Sequence, residues 1–68
     1  MTKYYKYLHK DGDFFITKGK NPTRIIYIKG RFGFQVNDLI QNLFPPKILE
    51  DYYIITQLTL NDVRIELL

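Results

Sequence analysis

The chain has 68 residues, with 46% hydrophobic and 25% charged side chains and a net charge of +3, which is one small domain and too apolar a composition for a disordered chain. It contains no Cys, Ser, Ala or Trp, which excludes Ser- and Cys-nucleophile catalysis, thiol redox chemistry and thiolate metal sites. With no disulfide to reinforce so small a core, subunit association is a reasonable expectation.

The first predicted element is a β-hairpin that begins at Lys3 and turns at Asp11-Gly12, a dipeptide suited to a type I′ turn. Pairing outward from that turn sets Leu8 opposite Phe15, Tyr7 opposite Ile16 and Tyr5 opposite Lys18. Tyr5, Tyr7, His9, Phe14 and Ile16 then share one face, and Tyr4, Lys6, Leu8, Phe15 and Thr17 the other. Neither face is purely polar, so this hairpin is expected to be covered twice, by its own core and by something else.

A second hairpin is predicted from Thr23 to Val36 around Gly30, after the loop Gly19-Lys20-Asn21-Pro22. It points Ile25, Tyr27, Phe32, Phe34 and Val36 to one side. A short helix follows, capped by Asn37 or Asp38, with Leu39, Ile40, Leu43 and Phe44 at helical spacing and Pro45-Pro46 as its end. Lys47 to Tyr53 reads as a helical turn opened by Pro46, then as a strand. A third hairpin pairs Ile54–Leu60 with Val63–Leu68 around Asn61-Asp62, one face core and one solvated. The expected fold is mainly β within the α+β class: three β-hairpins with one short helix between the fourth and fifth strands, forming a small open barrel or a strongly bent antiparallel sheet. Residues 1–68 make up a single domain.

Charge is unevenly spread. Residues 1–34 carry eight basic and two acidic side chains, +6, whereas residues 35–68 carry two basic and five acidic ones, −3. Such a polarised chain can offer a basic face to phosphates or pair head-to-tail with copies of itself. No apolar run is long enough to span a bilayer, and Met1 to Lys6 lacks the apolar segment of a secretory signal, so a cytoplasmic location without membrane contact is expected.

His9-Lys10-Asp11-Gly12-Asp13 places an imidazole beside two carboxylates, but the following Phe14-Phe15-Ile16 supplies none of the oxygens a cation loop requires; it reads as a turn, and neither metal nor cofactor is expected. Glu50-Asp51 and Asp62 with Glu66 read as solvated charges. Lys29-Gly30-Arg31-Phe32-Gly33-Phe34-Gln35-Val36 resembles the basic, glycine and aromatic strand motif of RNA-recognition and cold-shock domains, whose aromatics form a shelf for bases. The resemblance covers eight residues and departs from the motif at Arg31, which sits between Gly30 and the first ring. Phe32 and Phe34 also share a face with Ile25, Tyr27 and Val36, and core packing is the preferred reading.

In the first strand Tyr4, Tyr5 and Tyr7 alternate with Lys3, Lys6 and Lys10, and rings beside ammonium groups hold single-stranded nucleic acid by base stacking and counterion release. The same composition suits a protein interface. The sequence therefore points to a non-enzymatic, basic binding module for single-stranded nucleic acid, using Lys3, Tyr4, Tyr5, Lys6, Tyr7, Lys18, Lys20, Arg24 and Arg31. The alternative is a protein-binding, assembly or inhibitor protein of phage-like or low-GC bacterial character that self-associates.

Overall fold

A computed structural model describes residues 2–20 and 22–67. Tyr4–His9 (β1) and Phe14–Lys18 (β2), both rich in aromatic and β-branched residues, form an antiparallel pair. Four residues, Lys10 to Asp13, lie between them, and with His9 paired to Asp13 the turn itself holds three, Lys10 to Gly12. His9 N–H donates to the Asp13 carbonyl at 2.8 Å, and Gly12 N–H to the His9 carbonyl at 2.9 Å. Gly12 has φ 92°, the left-handed conformation that ends a three-residue hairpin loop. The expected two-residue turn is thus one residue longer, and the register moves by one: Tyr7 faces Phe15 and Tyr5 faces Thr17. Because side chains alternate, that slip exchanges the partners of every ring in the hairpin.

Arg24–Lys29 (β3) pairs with β2, and Tyr53–Leu58 (β4) pairs with β1, which gives a four-stranded antiparallel sheet in the order β3-β2-β1-β4. The sheet is open and not closed into a barrel, with four strands in place of the six expected. Ile16 faces Tyr27, yet the next residue, Thr17, faces Ile25. The extra residue, Ile26, makes a bulge that turns Tyr27 to the face opposite Ile25, so these two do not point together as the alternation implied.

Residues 31–39 do not return as a strand. They cross one face of the sheet and set Phe32 and Phe34 against Phe15, with ring centroids 5.5 and 5.0 Å away. Ile40–Leu43 (α1) and Pro46–Tyr52 (α2) follow, separated by Phe44-Pro45, with Pro46 in the first turn of α2 where its missing N–H costs nothing. Asp38 does not cap α1; its carboxylate accepts the Gln35 N–H at 2.8 Å. The core on this side comprises Tyr7, Phe15, Ile25, Ile40 and Leu49, with Phe32, Phe34, Phe44 and Tyr53 packed around it. Phe15 is its centre, stacked on Tyr7 at 4.8 Å and meeting Tyr53 edge-on at 5.4 Å.

The largest departure from the sequence reading is the last segment. Leu60–Leu67 (α3) is a helix, where a hairpin turn and strand were expected. Thr59 N–H donates to the Asp62 carboxylate at 3.0 Å while Asp62 N–H donates to the Thr59 hydroxyl at 3.2 Å. This reciprocal cap satisfies N–H groups that a new helix leaves bare. The Thr59 backbone N–H, and after it the Thr59 hydroxyl, hold the Asp62 carboxyl below its usual pKa. The helix turns back over the second face of the sheet, burying Val63 and bringing Glu66 to 3.3 Å from Lys6 Nζ. Phe14 and Ile16 are buried on that face. The second cover that the two-sided hairpin requires is supplied, for these residues, by the chain itself.

Candidate interaction surfaces

The residues singled out in the amino-terminal half separate into three groups. Tyr7 is 7% exposed and belongs to the core; burial pushes its phenol above the usual tyrosine pKa, an effect the nearby Thr17 hydroxyl partly offsets and Tyr5 slightly reinforces. Tyr5, half-buried, packs against the same cluster. Lys6 lies over the Phe14 ring, 4.2 Å from its centroid, and is paired with Glu66. Arg31 follows β3, at the far end of the sheet from Arg24.

A second group converges. Tyr4 faces Lys18 and Lys18 faces Arg24, so these three side chains form a row across β1, β2 and β3 on one face, continued by Leu58 of β4. Neighbouring strands lie about 4.8 Å apart, so the row runs roughly 14 Å. Two local features bring more charge to this end. Gly19, at φ 88°, donates its N–H to the Lys3 carbonyl at 2.8 Å, and the Thr23 hydroxyl donates to the Lys20 carbonyl at 3.0 Å. These bonds fold the β2–β3 loop against the start of β1 and set Lys3 and Lys20 beside the row. Arg24 Nη1 donates to the Asn37 carbonyl at 2.8 Å, which holds the guanidinium at the sheet edge. Lys3, Lys18, Lys20 and Arg24 are exposed, and none of them forms an ion pair among the described residues. Tyr4 is half-buried in the midst of them.

The third surface was not foreseen. Tyr52, Ile54 and Ile65 are 62%, 67% and 69% exposed, and Ile55, Leu60 and Leu67 are exposed as well. All lie on β4 or on the helices that flank it. Reading Ile54 to Leu68 as a hairpin assigned half of these residues to a core; the overlooked signal was Thr59-x-x-Asp62, which starts a helix and rotates Ile65 outward.

His9 is engaged within its own turn, its Nδ1 accepting the Asp11 N–H at 3.2 Å, and its ring meets Tyr53 edge-on. Among the described residues no group of three or more His, Asp or Glu side chains is placed to hold a metal ion, and no helix is long and apolar enough to cross a membrane. The fold defines a small α+β domain, a four-stranded antiparallel sheet with helices on both faces. No protein-family model matches the chain, and no curated protein or solved structure resembles it significantly.

Proposed function

We propose that this protein is a non-enzymatic binding module whose basic end takes the backbone of a single-stranded nucleic acid. The observation that carries the reading is the row Tyr4, Lys18 and Arg24 with Lys3 and Lys20 beside it, four exposed cations around one accessible ring. Ammonium and guanidinium groups without acidic partners bind phosphates by releasing counterions, and a tyrosine ring among them offers a stacking platform for a base. Compared with the sequence reading, the interface moves to one end of the sheet, because Tyr5 and Tyr7 spend their rings on the core. Lys6 is occupied by Glu66.

The test is fluorescence anisotropy of a labelled oligothymidylate across a salt series. Four phosphate contacts on a single strand predict a log–log slope of about −3, from roughly 0.7 per contact. Replacing Lys18 and Lys20 together by Ala is expected to flatten it by about 1.4 and leave the circular dichroism spectrum unchanged. A slope near zero, or a double variant that binds like the parent, would sink the proposal. The apolar residues around β4 favour a second capacity, association with protein, which is compatible with the first because it uses another part of the surface.

A further inference from the structure

We infer that two copies of this chain pair through β4, edge to edge and antiparallel, about a two-fold axis centred on Thr56. The sheet has two outer strands, and they are treated differently. The start of β3 is closed by the 37–39 segment: Ile25 N–H donates to the Asp38 carbonyl at 3.0 Å, and Asn37 N–H to the Ile25 carbonyl at 2.8 Å. Among the described residues, β4 has β1 on one side and no strand on the other. Its sequence, Tyr-Ile-Ile-Thr-Gln-Leu, carries no charge, no proline and no bulge against β1, so it lacks the devices that keep an outer strand from pairing. Ile54 to Gln57 are all exposed.

The pleat decides the register. Side chains alternate faces, so a two-fold edge pairing that keeps each face continuous must place a residue, not a gap between residues, on the axis. Centring on Thr56 sets Thr56 opposite itself and Ile54 opposite Leu58. Continued past the strand ends, it sets Tyr52 toward Leu60. Each apolar side chain of that face thereby meets another apolar one. On the opposite face that axis sets Ile55 on Gln57. Centring on Ile55 instead opposes Ile55 to itself but sets both Ile54 on Thr56 and Tyr53 on Gln57, so within the strand more apolar side chains meet polar ones. Charge agrees with the antiparallel sense. Glu50 and Asp51, with Lys10 beside them, leave a cleft at the start of β4 net acidic, and Lys3 flanks another at its end. A two-fold brings the acidic end of each copy to the Lys3 end of the other. The occupant of this edge is therefore a second copy, and the basic row at Lys18 and Arg24 stays outside the junction.

Two measurements made without nucleic acid test the pairing independently of the binding reading. Sedimentation equilibrium at submillimolar concentration is expected to give twice 8.2 kDa for the parent. For Ile54→Lys, whose exposed site tolerates a charge in the folded monomer, it is expected to give 8.2 kDa with an unchanged circular dichroism spectrum. The chain has no cysteine, so single-cysteine variants report the register. Directly opposed Cα atoms in antiparallel strands lie about 4.5–5.5 Å apart, within the span of a disulfide. Thr56→Cys is thus expected to cross-link on mild oxidation. Gln57→Cys places its Cα atoms roughly 8 Å apart across the axis and is expected not to. A monomer throughout, a dimer that survives Ile54→Lys, or faster cross-linking at position 57 than at 56 overturns the inference.

Discussion

Thr17 offers a sharp test of how this small core is assembled. Its side chain is fully buried, and its hydroxyl makes no well-formed hydrogen bond with a described protein group. The Tyr7 phenol is near enough to the hydroxyl for its pKa to be pulled down slightly against the rise caused by burial. A buried hydroxyl without a hydrogen bond costs about 1–3 kcal/mol in proteins. Thr17→Val keeps the branched shape and the strand preference and deletes the polar group. Allowing for the lost contact with Tyr7, the net gain is about 1 kcal/mol, which in a domain of this size raises Tm by about 4–8 °C. Thr17→Ser keeps the hydroxyl and removes a buried methyl, so it is expected to lose about 1 kcal/mol. Thermal and urea melts followed by far-ultraviolet circular dichroism give both values. Titration of phenolate absorbance supplies a cross-check: in Thr17→Val the Tyr7 pKa should move further up, because the lowering influence is gone. A Val variant that melts below the parent would refute the reasoning, since it would mean that the hydroxyl is bonded in the folded state.

Two further outcomes follow from charge. Tyr7 and Tyr53 both have folded-state pKa values raised by burial above 10.0. The stability they confer is complete below that value and is lost as pH climbs past it, because the unfolded phenols ionise first. Urea midpoints should therefore fall above about pH 10 in the parent and fall less steeply in Tyr7→Phe; equal pH dependence in the two proteins would count against the buried placement of Tyr7. The Lys6–Glu66 pair, with side chains 25% and 34% exposed, ties α3 to the sheet. Glu66→Gln is expected to cost about 0.2–1 kcal/mol, the range for solvent-screened pairs, and the difference should shrink at high salt. Lys6→Ala should cost more, since it also removes the ammonium from the Phe14 ring. A Glu66→Gln penalty that ignores salt would show that the pair contributes nothing electrostatic.

Much of the central sheet could be read from the chain, because Tyr4–His9 and Phe14–Lys18 flank an Asp-Gly turn and carry the residues strands prefer. The helical turn after Pro46 and the strand that follows were legible for the same local reason. What escaped depended on single residues. One additional loop position at Lys10 moved the register, and one bulged residue, Ile26, reversed Tyr27. The segment 60–67 carries both periods at once: Val63, Ile65 and Leu67 alternate as a strand does, while Leu60, Val63 and Leu67 follow a helix. The reciprocal Thr59–Asp62 bonds decide between them. The basic end was legible as composition but not as a place. Lys18 and Arg24 become neighbours only through β2–β3 pairing, and Tyr4 joins them only in the shifted register.

The position of β1 governs how this molecule comes into being. Tyr4–His9, the first strand in chain order, lies between β2 and the last strand β4, with Tyr4 opposite Leu58. Lys6 reaches across 60 positions to Glu66. A nascent chain can close the first hairpin early, yet one flank of that hairpin stays open until residue 58 has left the ribosome. Completion of the sheet is consequently held back until β4 is available, and β4 acts as the latch without which the opening strand stays adhesive.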